Sequence, residues 1–165
     1  MNQIEGLFRA LSTGVYVVGA AHGDKRSAFT AAWVMPTSYN PPLLAVSVNP
    51  EHATHALIQI SRAFTINVLK ATQLELARRF GTQSSRDIDK LAGVAWHAGM
   101  TGAPILDDAL GVLECVVVDS MLAGDHELVI GRIVAGKLMD SVARPMMYSE
   151  TDDMDGSAAL YPTKL

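Results

Sequence analysis

A chain of 165 residues with 49% apolar side chains has the length for one domain built on one hydrophobic core. Its net charge of −4 argues against nucleic acid as the main partner, since phosphate neutralisation needs a basic face, and leaves room only for a local basic pocket. The single cysteine, Cys115, excludes an intramolecular disulfide and fits a reducing compartment. Residues 1–9 lack the basic-then-apolar order of a signal peptide, and the longest apolar runs fall short of a membrane span. The expectation is a soluble cytoplasmic protein with no membrane partner.

Ile4, Leu7, Phe8 and Leu11 recur at helical spacing and predict a short amphipathic opening helix. Val15-Tyr16-Val17-Val18 reads as a buried strand, and His22-Gly23-Asp24 as the turn of a hairpin into a second strand over 27–34. Asn40-Pro41-Pro42 marks a loop, followed by a third strand over 43–48. Thr54 is the expected N-cap of a helix with Ala56, Leu57 and Ile60 on one face. A strand over 64–69 and an amphipathic helix over 73–80 follow, then a polar surface loop over 81–89. Residues 110–121 and 127–138 predict two long strands joined at Gly124 and Asp125.

Many strands with only short helices between them cannot make a doubly wound parallel sheet. The pattern predicts a mainly β fold, an antiparallel barrel with peripheral helices, as a single domain over 1–150. Residues 151–165, rich in Asp, Gly and Ser, are expected to be a frayed tail with little to bury. No Gly-rich phosphate fingerprint opens a helix after a strand, which speaks against a Rossmann site or a P-loop.

Five segments, in order, carry a family resemblance. They are Phe8-Arg9-Ala10-Leu11-Ser12-Thr13-Gly14-Val15, Phe29-Thr30-Ala31-Ala32-Trp33 with Pro41-Pro42 after it, and Thr54-His55-Ala56-Leu57-Ile58. Then come Phe64-Thr65-Ile66-Asn67-Val68-Leu69 with Ala77-Arg78-Arg79-Phe80-Gly81, and Gly124-Asp125-His126. Together they resemble the flavin reductase-like family. Trp33 and Ser85-Arg86-Asp87-Ile88-Asp89-Lys90-Leu91 are similar to the subgroup that includes archaeal ferric reductases. The resemblance implies a Greek-key split β-barrel that binds FMN, less often FAD, at a homodimer interface. It also implies hydride transfer from NADH or NADPH to flavin N5, with electrons passed to a monooxygenase, ferric iron or another acceptor.

On that resemblance the flavin-binding residues are Ser27, Phe29, Thr30, Ala31, Ala32, Trp33, Ser47, Val48, Asn49, His52, Thr54, Arg79 and Phe80. Amides and the Thr30 hydroxyl would line the ring, and Trp33 would wall it; the plain alternative is a Trp33 in the core or an interface. The run from Ser47 to Thr54 enters a helix N-terminus that suits a phosphomonoester, or Thr54 is only a cap. Arg79 would meet a phosphate or the pyrimidine carbonyls and Phe80 a ring, or both simply close a helix. Arg86 and Lys90 would pair with dinucleotide phosphates, or are solvated. His126 is the expected catalytic residue, orienting the nicotinamide or donating a proton, whereas Asp125 shapes the turn. Scattered histidines without ligand spacing predict no metal site. Two alternatives stay open: a flavin- or haem-binding electron-transfer or sensor module without turnover, and a structural dimer that has lost its cofactor.

Overall fold

The structure is a computed structural model that describes residues 3–163. Helix α1 (Gln3–Ala10) precedes the hairpin of β1 (Tyr16–His22) and β2 (Lys25–Ala31), then β3 (Val34–Ser38) and β4 (Leu43–Val48). Helix α2 (Ala53–Ser61), β5 (Ala63–Val68) and α3 (Leu74–Thr82) follow. A small hairpin of β6 (Trp96–Ala98) and β7 (Pro104–Leu106) leads into the long pair β8 (Gly111–Ala123) and β9 (His126–Leu138). The fold is mainly β and antiparallel.

Seven strands form one sheet in the order β2-β1-β5-β8-β9-β4-β3. Strands β2 and β3 are therefore opposite edges, yet only Ala32 and Trp33 separate them in the chain. So short a connection spans roughly 11 Å from Ala31 to Val34 even when extended. The sheet must curl until its edges adjoin, which closes a barrel whose seam lies at Ala32 and Trp33.

This explains one departure from the sequence reading. The strand expected over 27–34 is two strands, because the chain leaves one edge of the sheet at Ala31 and enters the other at Val34. Local patterning is apolar across the break and cannot register it.

Both faces of the sheet are covered. Val18, Phe29, Val46, Phe64, Cys115 and Val129 fill the barrel interior. Val15, Val17, Leu69, Phe80 and Tyr148 form a second cluster outside it. Neighbours Val17 and Val18 serve different clusters because successive strand side chains point to opposite faces. At Gly131 an added Cβ would lie 2.5 Å from the Phe64 ring, so only glycine lets β9 pass that close.

Other expectations shift. The N-cap of α2 is His52, with Thr54 inside the helix and 1% exposed. Its hydroxyl is drawn inward by Ser27, whose Oγ lies 2.7 Å from Thr54 Oγ1. The buried face of α2 is Thr54, Leu57 and Ile58, while Ile60 is exposed. Helix α1 buries Ile4, Glu5 and Arg9 and turns Leu7 outward. The β6–β7 hairpin was not anticipated. After Tyr148 the chain has more to bury than expected: Thr151 and Met154 are buried, and the Tyr161 ring sits 5.1 Å from that of Phe8.

Candidate functional site

The barrel seam brings together the end of β2, the end of β4, the start of α2 and the segment after α3. As an edge strand, β2 turns every second backbone N–H away from β1, leaving donors without a ladder partner. Phe29 stacks on His52, with ring centroids 4.7 Å apart and planes inclined by 23°. Two adjoining cavities share Phe29, Asn49 and His52 as a common wall.

The first, about 100 Å³, is lined on one side by Thr30, Ala31, Ala32, Trp33 and Ser47. Tyr148, Asp155, Ser157 and Tyr161 of the C-terminal segment line the other. Tyr148 and Ser157 share a hydroxyl hydrogen bond of 2.7 Å that fixes this wall. Burial pushes the Tyr161 phenol up to about 12. The Thr30 hydroxyl donates to the Ala77 carbonyl of α3 at 2.7 Å, so its proton is already committed.

The second, about 290 Å³, lies at the start of α2 and is lined by Thr54, Thr82, Ser84, Ser85 and Lys90 among others. Four hydroxyl-bearing side chains share the lining with the Glu51 carboxylate, Asn49 and Gln83. Lys90 is 4% exposed, and its Nζ donates to the Phe80 carbonyl at 2.9 Å. No carboxylate among the described residues forms an ion pair with it. Burial alone lowers its pKa to about 8, the mark of a cation without a counter-charge. His52 also has a lowered pKa, through burial first and then the nearby positive charges of Lys90, His126, His55 and Arg86.

His126 begins β9 just beyond a turn in which Gly124 adopts φ +68°, a conformation that glycine tolerates. Its ring lies 5.0 Å from Trp33, and its Nδ1 is 2.7 Å from Asp125 Oδ1. Asp125 therefore does more than shape the turn. On the opposite side of β9, Glu127 accepts from Gln59 at 2.8 Å and from Ser120 at 2.6 Å, and also pairs with His55.

Most of the expected residues converge here: Phe29, Thr30, Ala31, Ala32, Trp33, Ser47, Asn49, His52 and Thr54 line the two cavities. Four do not reach them as expected. Ser27 is buried behind Thr54 as its hydrogen-bond partner, and the Val48 side chain is packed in the barrel interior. Phe80 is 1% exposed in the outer cluster and offers no face to a ligand. Arg79 points away from both cavities and donates to the Lys90 carbonyl at 2.7 Å and to the Ala92 carbonyl. It acts as a clamp on the segment after α3.

Ser84 and the C-terminal wall do not figure in the sequence reading of the site, and Lys90 figures there only as a partner of dinucleotide phosphates or a solvated residue. Lys90 stands in a charged run that reads as solvated, and nothing local indicates that it folds inward.

The sequence profile of the flavin reductase-like domain matches residues 8–156. The chain belongs to the flavin reductase-like family. A diflavin flavoprotein of Synechocystis is 32% identical over 138 residues, which cover 83% of this chain and 24% of that protein. The chain thus spans about a quarter of the length of the diflavin relatives it matches. Among solved structures, the Streptomyces globisporus NADH:FAD oxidoreductase SgcE6 superposes with a TM-score of 0.83 at 27% identity, covering 90% of this chain and 89% of that one. BorF, the flavin reductase component of a bacterial two-component tryptophan halogenase, gives 0.76 at 30% identity, over 87% and 96%. The paired cavities lie at the barrel seam of this family's fold.

Proposed function

We propose that this protein binds FMN or FAD at the seam and reduces it with NADH or NADPH. The observation that carries the reading is the pair of adjoining cavities. One is walled by aromatic rings beside edge-strand amides; the other is bordered by hydroxyls and Glu51 and holds a buried ammonium that forms no ion pair among the described residues. That sequence of surroundings suits a flat ring, a polyol and a terminal phosphate in turn.

When bound, the flavin supplies the redox chemistry, accepting hydride from the nicotinamide at N5. The chain supplies binding and electrostatics. Edge-strand N–H groups and Ser47 offer donors where negative charge grows on reduction. Lys90, Ser84, Ser85 and the start of α2 would hold the phosphate. Trp33 and Tyr161 would keep water from the ring, and His126, held by Asp125, would orient the nicotinamide. No side chain has to act as an obligate acid or base.

The partners follow from the same reading. Trp33, Met35, Met121 and Leu122 are exposed around the seam and the β8–β9 turn, which supports a homodimer closing over the flavin. BorF serves a halogenase, and an electron acceptor of that kind, a monooxygenase or ferric iron, is the destination proposed here. No helix of the described residues is long and apolar enough to cross a membrane. A cytoplasmic location is part of this proposal, a reducing compartment suiting the buried free thiol of Cys115.

The test is the absorbance spectrum of the purified protein with added FMN or FAD, before and after anaerobic NADH or NADPH. A bound flavin that bleaches supports the reductase. A bound flavin that neither donor bleaches points instead to an electron-transfer module, and failure to bind flavin overturns the reading.

A further inference from the structure

The ring cavity of about 100 Å³ is small for the ligand proposed above. Small-molecule sites run to roughly 300–1,000 Å³, so one of its walls must give before a fused ring can enter. The barrel wall is tied on both sides. Strand β2 is laddered to β1 as far as Ala31, and the Ser47 amide donates to the Trp33 carbonyl at 3.0 Å across the seam. The opposite wall, with Asp155, Ser157 and Tyr161, belongs to no strand.

That segment has an anchor and a pivot. Thr151 and Met154 are buried, and the Thr151 hydroxyl donates to the Tyr148 carbonyl at 2.7 Å, which fixes the chain there. Gly156 follows at φ +70°, with nothing within 4 Å of an added Cβ. Beyond it Ser157–Leu160 forms one 3-10 turn, and Leu160 is 83% exposed. Several contacts near the surface hold this turn down. Ser157 N donates to Asp155 at 3.1 Å and Ala158 N to Asp153 at 3.0 Å. The Ser157 and Tyr148 hydroxyls lie 2.7 Å apart, and the Tyr161 ring rests 5.1 Å from that of Phe8. Exposed hydrogen bonds exchange readily for bonds to water, so their net hold is small.

We propose that residues 157–161 are a flap that swings about Gly156 to admit the flavin ring and closes over it with Tyr161. The proposal rests on the flavin reading of the seam. Opening removes the Ser157 and Tyr161 side of the cavity and leaves the Thr30–Trp33 side in place, so the ring enters against a fixed wall. Phe8 is the latch, because it packs on Trp33 of that wall at 6.2 Å and on Tyr161 of the flap. Entry and escape of the flavin then share one gate, which sets how fast it exchanges and not how tightly it binds.

The experiment is stopped-flow binding and release of FMN by the full chain, repeated for Phe8→Ala and Asp153→Ala. Neither side chain lines the two seam cavities, so each variant loosens the flap without removing a ligand contact. Association and dissociation should both quicken, by about tenfold, while Kd stays within about twofold. Faster dissociation with unchanged association makes the segment a fixed wall and overturns the proposal, as do unchanged rates in both variants. Hydrogen exchange in the flavin-free protein reads the opening directly. The Ala158 amide should exchange faster than that of Val18 in the barrel, and faster still in Phe8→Ala. Exchange at Ala158 as slow as at Val18 overturns the flap and leaves flavin binding standing. Binding of no flavin at all removes the seam reading itself, and the flap's role with it.

Discussion

The imidazole of His126 lies 5.0 Å from the indole of Trp33, the two planes inclined by 47°. The contact joins the tip of the β8–β9 hairpin to the two-residue crossing between the barrel edges. It places the one imidazole on that hairpin beside the aromatic wall of the ring cavity. Replacing His126 with Ala should raise the KM for the nicotinamide about tenfold, the weight of a single good contact. Flavin bleaching should slow without stopping, because hydride transfer needs no side-chain acid. Stopped-flow reduction at varied NADH measures both, and unchanged kinetics would remove His126 from the site.

Lys90 carries opposing consequences for binding and stability. Lys90→Met should weaken FMN binding by about 1.5–3 kcal/mol, the range for a hydrogen bond to a charged group, and leave riboflavin unaffected. The flavin-free variant should be more stable than the parent at pH 7. In the folded parent the pKa is lowered to about 8 from 10.5, so charging the buried amine costs stability below about 8. That cost fades as pH rises from 8 towards 10.5, where the unfolded chain also loses its proton. Thermal melts across pH, with and without FMN, test the pair of effects; a destabilised flavin-free variant at pH 7 would contradict the account.

Arg79 is predicted to matter without touching the ligand. Its guanidinium spans the Lys90 and Ala92 carbonyls, so Arg79→Ala should loosen residues 84–94 and lower flavin affinity indirectly. Arg79→Lys should rescue poorly, because one ammonium cannot reproduce the planar fork. Hydrogen exchange over that segment reads the loosening. Normal protection alongside weak flavin binding would mean that Arg79 contacts the flavin after all.

Glu127 ties the hairpin to α2 and should show its effect in acid. The Ser120 hydroxyl first, and then His55, hold its carboxyl below the usual glutamate range, against the contrary pull of burial. A lowered folded-state pKa gives stability that is present above the unfolded value and lost as pH falls through the folded one. Glu127→Gln should therefore be less stable than the parent at pH 7, with the difference closing below about pH 4. A gap that persists unchanged in acid would show that shape rather than charge holds the contact.

Part of the cavity lining is legible in the sequence. The run from Phe29 to Trp33 and the stretch from Ser47 to Thr54 stand far apart in sequence and line adjoining cavities. Arg79 and Phe80 were misread because a helix end shows which residues are present and not which way they turn. Phe80 follows the outer apolar cluster inward, and Arg79 is taken up by two carbonyls of the next segment. Lys90 was underrated for the converse reason: a lysine among Asp and Arg looks solvated until packing closes over it.

What the sequence by itself determined was the set of elements and their antiparallel character, since period-two alternation, turn residues and short helical runs are local properties of the chain. It also determined the family, through the order of five short segments. Only the tertiary structure decided that the strand read over 27–34 breaks at Ala32, that Thr54 turns inward to Ser27, and that the C-terminal segment walls the ring cavity. Each depends on a partner tens of residues away or more. Such partners meet only when the sheet curls and its edges adjoin, and no local period records that closure.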